Sequence, residues 1–343
     1  MEVRHSAEAL RRFGERCFVA AGMDREGAAI VTDVLVHAEE RGHASHGITR
    51  VPITVKRLRT GVMKPRPDVK IEQVAPGMAL VDADNGPGPI ASVRALDAAV
   101  AMAKTQGVGV AVVAHSNHNG AGSYYAERAL KQGCIALCTT NAPPSMAVHG
   151  GRTPVIGTNP VTMGVPGGDV SLLMDMATSV VARGKIVEAS KRKEAIPQGW
   201  ALDRDGRPTT DAVAAEKGVV LPLAGAKGSA LAIMVEVLSG VLGGGRFAGD
   251  LGNLYQDFET PQDIGHFFLA LKPPGEGFEA RVGTLVGQLR QSALQEGVAE
   301  ILMPGEPETR RRAQSLAEGI DLPDNVARDL DAVADLLGVA RLA

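Results

Sequence analysis

The segment HASHGITR, residues 43–50, places an imidazole close to a fixed cation. If Ser45 caps a helix that begins here, His46 and Arg50 lie about one turn apart on the same helical face. A guanidinium clamps a carboxylate through two parallel hydrogen bonds, and a protonated histidine donates to an adjacent carbonyl oxygen. The pair therefore suits a 2-oxo acid, although by spacing alone a structural helix start with a surface arginine is the commoner arrangement. His43 and His46 lack a third ligand at a suitable spacing, so we expect no metal site.

A second polar cluster, SNHNGAGSYY at residues 116–125, follows the apolar run GVGVAVVAH. The run predicts a buried strand, and the cluster predicts a glycine-bearing turn that opens a helix. Backbone N–H groups at such a turn suit a phosphate or an amide. A polar loop with capping residues explains the same segment equally well.

A third cluster combines GTNP at residues 157–160 and VPGG at 165–168 with DMATS at 175–179. The sequence Gly-Thr-Asn-Pro predicts a tight turn whose side chains bond their own backbone. Asp175 follows apolar residues at a strand end, where a carboxylate rarely lies without a partner, and a histidine is the natural one. The alternative is that Asp175 caps the next helix.

A candidate anion site lies in GAKGS, residues 225–229, ahead of an apolar helix. Lys227 and the helix N-terminus could hold an anion there, and a plain helix start is the alternative.

None of the 41 glycines forms GxGxxG between a strand and a helix, and the P-loop spacing is also missing. Any dinucleotide site must therefore be of a non-Rossmann type.

The periodicity of apolar residues predicts the elements that position these clusters. Helices are expected from Ser6 to Gly22, at Arg25–Glu40, from Val51 to near Gly61, at 89–106, 124–132, 180–193, 227–242 and 279–296, and twice near the C-terminus. Strands are expected within 69–86, 107–115, 133–141, 154–166, 171–178 and 266–273, with a loop at 197–211. Strands mixed with helices without strict alternation predict an α+β (mixed α/β) fold.

The composition argues against several classes of protein. A net charge of −3 provides no positive electrostatic potential that would attract the phosphates of a nucleic acid. No stretch approaches the ~20 uninterrupted apolar residues of a membrane span, and the N-terminus lacks the apolar core of a signal peptide. The three cysteines form no CxxC motif. We therefore expect a cytoplasmic protein without a nucleic-acid or membrane partner.

Nine segments, taken in order, resemble the malate/L-lactate/sulfolactate dehydrogenase family, whose relatives include ureidoglycolate dehydrogenase and Δ1-piperideine-2-carboxylate reductases. They are ASHGITR, SNHNGAGSYYAERA, GTNPVTMGVP, MDMATS, ARGKI, GWALDRDGRPTTD, GAKGSAL, IGHFFLAL and MPGE. The resemblance runs from about residue 5 to residue 335. It implies a non-Rossmann NAD(P)-binding domain with a largely antiparallel sheet at residues 71–304. It also implies a helical substrate and dimer domain built from residues 1–70 and 305–343, and a homodimer.

The resemblance further implies roles for individual residues. His46 is the expected proton donor, Ser45 and Asp175 are its relay partners, and Arg50 holds the substrate carboxylate. The other matched residues are Thr140 and Ser145 at the substrate site and, at the cofactor, His118, Asn119, Gly120, Ala121, Gly122, Pro166, Gly167, Gly168, Lys227, Met303, Pro304, Gly305 and Glu306. Relatives commonly carry a bulky residue where this chain has Asn119, which bears on the packing beside the nicotinamide.

The predicted function is transfer of a hydride between NAD or NADP and a small 2-hydroxy or 2-oxo acid of the malate, lactate or sulfolactate type. The close alternative is reduction of a cyclic imine, Δ1-piperideine- or pyrroline-2-carboxylate. Two further alternatives are a non-catalytic dinucleotide-binding protein and a metal-dependent hydrolase that uses His43 and His46. The sequence does not distinguish NAD from NADP, because it carries no Rossmann landmark.

Overall fold

The structure is a computed structural model that describes residues 4–342. Its helices are α1 (Ala7–Ala20), α2 (Arg25–Glu40), α3 (Val51–Arg59), α4 (Gly88–Gln106), α5 (Gly122–Leu130), α6 (Arg183–Arg192), α7 (Ala212–Glu216), α8 (Ala226–Glu236), α9 (Phe278–Arg290), α10 (Glu306–Glu318) and α11 (Asp324–Leu337). Its strands are β1 (Arg4–His5), β2 (Lys70–Ala75), β3 (Met78–Asp82), β4 (Val108–Ser116), β5 (Ile135–Thr140), β6 (Val161–Val165), β7 (Leu172–Met176), β8 (Ala201–Leu202), β9 (Pro208–Thr209), β10 (Val219–Val220), β11 (Ile264–Leu271) and β12 (Ile320–Asp321). The expected mixed α/β class is confirmed.

A seven-stranded sheet organises the middle of the chain, in the order β2-β3-β4-β11-β5-β6-β7. Among its described strands, β3 and β4 pair in parallel, and the other neighbours are antiparallel. Helices α4 and α5 pack on this sheet through alanines and small apolar side chains, which suits a chain with only 3% aromatic residues. The late strand β11 lies between β4 and β5, so it brings the distant segment that precedes it to the centre of the sheet.

The two ends of the described chain pack together. Leu10 and Phe13 of α1 share a buried core with Val55 of α3 and Leu330 of α11. Strand β1 pairs with β12 in antiparallel register. Ser6 caps α1 as predicted, since its hydroxyl accepts the N–H of Ala9 at 3.1 Å.

The predicted loop at 197–211 is wrong in part. It contains β8 and β9, which form a small three-stranded sheet with β10. The carboxylate of Asp203 accepts the N–H groups of Asp205 and Arg207, both at 2.9 Å, and so closes a hairpin turn. Strands of only two residues are too short to produce a visible alternation in the sequence.

Several helix boundaries also differ from the prediction. Helix α6 begins at Arg183 and α9 ends at Arg290. Helix α8 gives way after Glu236 to a π-helical turn, Val237–Val241. Within residues 4–342, no helix is both long enough and apolar enough to cross a membrane.

Candidate active site

The segment that carries His46 does not form the continuous helix predicted for it. Two single 3₁₀ turns, Ala44–His46 and Ile48–Arg50, flank Gly47, whose backbone is extended at φ −95° and ψ −146°. Ser45 therefore does not cap a helix, and that prediction is wrong. Its hydroxyl instead bonds Nδ1 of His46 at 2.9 Å. This bond leaves Nε2 as the nitrogen that can face a substrate, and a hydroxyl can serve either protonation state of Nδ1 because it both donates and accepts.

The buried carboxylate of Glu39 supports this turn from α2. Its Oε1 accepts the N–H of Ile48 at 3.0 Å. A Cβ on Gly47 would come within 2.4 Å of the same oxygen, so only glycine permits the contact. Burial raises the pKa of Glu39 to about 7, against the opposing effect of the Ile48 hydrogen bond. Glu39 was not predicted, because it is one of several acids in α2 and no sequence pattern distinguishes it.

The guanidinium of Arg50 folds back over Ser45. Its Nε donates to the Ser45 carbonyl at 2.7 Å, and its NH1 donates to the hydroxyl of Tyr255. The ring centre of Tyr255 lies 5.5 Å from the guanidinium carbon. Two edges of the cation are thus held, while the remaining N–H groups can bind an anion. Tyr255 was not predicted, since it lies 205 positions away in a segment without regular spacing.

His118 lies beside His46, as expected for residues of one site. The two ring centres are 5.5 Å apart, with the ring planes at 31°. Nδ1 of His118 accepts the N–H of Gly120 at 3.2 Å, and the backbone N–H of His118 donates to Gln262 at 3.2 Å. The turn after β4 is therefore tied to the segment that precedes β11.

Both imidazoles are poorly able to hold a proton in the free protein. Burial lowers the pKa of His46 to about 4, with further lowering by Arg50 and His43 and an opposing effect of Asp175. Burial, Arg50 and His46 lower the pKa of His118 well below its usual range. His46 keeps part of its surface open to solvent although protein atoms surround it, as in a cleft. At neutral pH it is therefore an uncharged base beside a fixed cation.

Within residues 4–342, Asp175 forms no hydrogen bond with the histidine expected as its partner, and it affects the pKa of His46 only through its charge. Its Oδ1 accepts the hydroxyl of Thr162 at 2.7 Å, and its Oδ2 accepts the N–H of Ser123 at 2.8 Å. Ser123 lies in the first turn of α5, where backbone N–H groups lack partners within the helix. Asp175 therefore supplies the hydrogen-bond acceptor for one of them. The alternative interpretation, a cap on the next helix, thus named the right chemistry but the wrong helix.

The turn that precedes α5 is packed into the protein. Asn119 is buried, and its side chain donates to Ser92 at 3.2 Å. A Cβ on Gly120 would lie 2.4 Å from Val34, and one on Gly122 would lie 1.9 Å from Thr162. These glycines are therefore required for close packing, and Ala121 is buried beside them.

Of the two predicted substrate-site residues, Thr140 is joined by hydrogen bonds to the end of β4 that leads to His118, whereas the backbone bonds of Ser145 go to other segments. The hydroxyl of Thr140 bonds Nδ1 of His266 at 2.7 Å, and Nε2 of His266 bonds the hydroxyl of Ser116, two positions before His118, at 2.9 Å. The backbone of Ser145 instead bonds Ile156 and Val220. The predicted self-bonded turn around Asn159 is also wrong, because that side chain bonds Ala142 and Glu236.

Two predicted cofactor segments meet at the hairpin end of β6 and β7. Gly167 lies against Val282 of α9, and the carbonyl of Pro304 accepts the N–H of Leu173 at 2.9 Å. The other members of these segments are Pro166, Gly168, Met303, Gly305 and Glu306. Glu306 ties the second segment to α9, since its carboxylate accepts from Arg290 and from the backbone N–H of Met303.

Within residues 4–342, Lys227 forms no hydrogen bond or ion pair with these residues. It is exposed in the first turn of α8, behind Gly225, which provides no capping side chain. No group of three or more histidine, cysteine, aspartate or glutamate side chains in residues 4–342 is arranged to hold a metal ion.

Comparison with known proteins places this chain in a family. The sequence profile described as malate/L-lactate dehydrogenase matches residues 5–331. L-sulfolactate dehydrogenase of Methanocaldococcus jannaschii is 37% identical over 93% of this chain and 92% of its own. The NAD(+) ureidoglycolate dehydrogenase of Escherichia coli O157:H7 is 34% identical, covering 94% and 93%. The NADP(+) (2R)-3-sulfolactate dehydrogenase of Chromohalobacter salexigens is 35% identical, covering 92% and 93%.

Solved structures agree with the sequence comparison. Sulfolactate dehydrogenase from M. jannaschii superposes with a TM-score of 0.93 at 35% identity, covering 98% of each chain. Δ1-piperideine-2-carboxylate reductase from Pseudomonas syringae superposes with a TM-score of 0.88 at 30% identity, covering 97% of this chain and all of that one. The resemblance inferred from the nine segments is confirmed, and the chain belongs to the malate/L-lactate dehydrogenase family.

Proposed function

We propose that this protein is an NAD(P)-dependent dehydrogenase of small 2-hydroxy acids, with His46 as the group that exchanges the substrate proton. The observation that carries the proposal is the pairing of His46 with Arg50 in one cleft. Arg50 binds the carboxylate, and Nε2 of His46 exchanges a proton with the oxygen on the adjacent carbon. An uncharged His46 is ready to accept the hydroxyl proton, and an anion bound at Arg50 offsets the charge that disfavours its protonation.

The cofactor is NAD or NADP, held outside a Rossmann fold. A Rossmann sheet is parallel, whereas the described seven-stranded sheet is mainly antiparallel. The exposed Lys227 and the uncapped start of α8 fit the needs of a phosphate group. Gly168 has open space around it, so a ligand can approach its backbone. The segments 118–122, 166–168 and 303–306 complete the proposed site, and the nicotinamide supplies the hydride when bound.

The experiment is a spectrophotometric screen of NADH and NADPH against oxaloacetate, pyruvate, sulfopyruvate and Δ1-piperideine-2-carboxylate. Turnover of an oxo acid supports the proposal. Turnover of the cyclic imine alone would replace it with the imine reductase, which the similarity to the P. syringae enzyme makes the second candidate. Binding of either nucleotide without turnover of any compound would contradict both.

The protein is a homodimer in this proposal, with a helical domain of residues 1–70 and 305–343 beside a nucleotide domain of residues 71–304. Exposed apolar side chains cluster along and after α8, in the nucleotide domain and not in the helical domain expected to dimerise; Met234 is 54% exposed and Val241 is 48% exposed. A continuous apolar surface of this kind usually covers an interface. Light scattering of the purified chain is expected to give twice the monomer mass, and Val241→Glu should lower it. A monomeric native chain would contradict the assembly.

A further inference from the structure

The segment that precedes β11 forms a closed loop against α3, and we refer to residues 253–262 as the strap. The N–H of Gly252 donates to the carbonyl of Gln262 at 3.0 Å and so joins the two ends. Asn253 and Asp257 accept backbone N–H groups of the residues that follow them. These bonds give the strap a defined shape without a helix or strand.

A buried arginine holds the strap down. Arg57 of α3 has no exposed surface, and its NH1 donates to the carbonyls of Asn253, Leu254 and Asp257 at 3.4, 3.2 and 2.6 Å. Charge-assisted bonds from a buried guanidinium are strong compared with bonds between neutral groups. The anchor therefore fixes the backbone on both sides of Tyr255.

Tyr255 is the strap residue that reaches the site. Its hydroxyl accepts from NH1 of Arg50, and its ring packs on the guanidinium at 5.5 Å. The side chain is nevertheless more than half exposed, at 58%. An exposed aromatic ring held against Arg50 is placed to contact a ligand that binds this arginine.

We propose that Tyr255 is a positioning and specificity residue for the acid group of the substrate, presented by the strap that Arg57 anchors. The inference deepens the proposed function and rests on it. Because the Tyr255 oxygen accepts from Arg50, its own O–H remains free to donate to a carboxylate bound by the other N–H groups of Arg50. The ring then bounds the space for the rest of the acid, which favours small 2-oxo acids.

The test compares Tyr255→Phe with the native protein. The variant keeps the ring and loses the hydroxyl, so KM for the accepted 2-oxo acid should rise about tenfold, as for loss of a hydrogen bond to a charged group, while kcat changes little. The affinity for NADH should not change. An unchanged KM would overturn the proposal.

The anchor is tested with Arg57→Met, and Lys56→Met is the matched control. Lys56 also faces the strap, with its ammonium 3.8 Å from the Phe258 ring centre. Within residues 4–342 it forms no hydrogen bond with a carbonyl of the strap. Arg57→Met should raise KM and expose the strap to chymotrypsin, whereas Lys56→Met should do neither. Equal effects of the two variants would refute a specific anchor. If Arg57→Met does not fold, the Tyr255→Phe result decides.

A binding measurement separates this inference from the proposed reaction. The affinity for oxamate, an unreactive analogue of a 2-oxo acid, is measured by calorimetry in the presence of NADH. Weaker oxamate binding by Tyr255→Phe supports the role of Tyr255 even if no acid is turned over. Equal binding by both proteins overturns that role even if turnover is found. Absence of oxamate binding by the native protein would count against the acid site and Tyr255 together.

Discussion

Burial and the neighbouring guanidinium of Arg50 lower the pKa of the His46 imidazole to about 4. Both side chains belong to the short segment between α2 and α3. The two residues are thus coupled through charge. A proton donor for an acid substrate and a clamp for its carboxylate normally need such proximity. The consequence is a site whose protonation depends on what Arg50 binds.

The pH dependence of the two reaction directions should therefore differ. Reduction requires protonated His46, so kcat/KM for the oxo acid should fall about tenfold per pH unit above the pKa of the free enzyme. Oxidation requires neutral His46, so its kcat/KM should be flat from pH 6 to pH 8 with respect to this group. Initial rates in both directions measure this. Reduction that is independent of pH between 5.5 and 7.5 would contradict the role of His46.

Removal of the imidazole should stop the chemistry and spare nucleotide binding. His46→Ala is expected to lower kcat by about a hundredfold or more, the contribution typical of general acid–base catalysis. His43→Ala is the control, because the His46 N–H bonds the backbone carbonyl of His43 and the His43 ring is the smallest of the influences on the pKa of His46. NADH titration should give the same affinity for all three proteins. Full activity of His46→Ala would exclude it as the proton donor.

Replacement of Arg50 by lysine should chiefly affect binding of the acid. A lysine keeps the charge but loses the planar fork and the bond from Nε to Ser45, so KM should rise by about ten- to a hundredfold. Arg59→Lys, an exposed change at the end of α3, should leave KM unchanged. Steady-state kinetics with the accepted acid decides, and an unaltered KM for Arg50→Lys would remove Arg50 from the substrate site.

Asp175→Asn should make His46 harder to protonate. Asp175 opposes the effects of burial and Arg50 on the pKa of His46, and asparagine also offers one acceptor fewer to Thr162 and Ser123. We expect kcat/KM for reduction at pH 7 to fall about tenfold, with oxidation less affected. The exposed change Asp169→Asn serves as the control. Equal losses in both directions would indicate structural damage instead.

Glu39 should make the stability of the protein sensitive to pH. Its pKa is raised to about 7 by burial, above the value of about 4.5 in an unfolded chain, so the folded state loses stability as pH rises between these values. Glu39→Gln keeps an oxygen for Ile48 and removes the charge. Its melting temperature relative to the native protein should therefore be higher at pH 8 than at pH 5. A difference that does not vary with pH would show that Glu39 is not buried as described.

Sequence alone determined what depends on neighbours along the chain. The apolar spacing located the helices and strands, Ser6 was identified as a cap, and nine short segments identified the family. These features follow from local rules that hold wherever the segment lies. Even here, the capping role assigned to Ser45 was wrong, because the buried carboxylate of Glu39 accepts the N–H of Ile48, the donor that a Ser45 cap would need.

Tertiary structure decided the partners of each site residue. Arg50 meets Tyr255, 205 positions away, because β11 enters the sheet between β4 and β5 and carries the strap with it. Asp175 meets Ser123 because β7 and α5 lie against each other, and the spacing of the two residues in the sequence does not predict that contact. The lowered pKa of His46 also arises in the folded cleft, since burial and the approach of Arg50 exist only after the chain has closed.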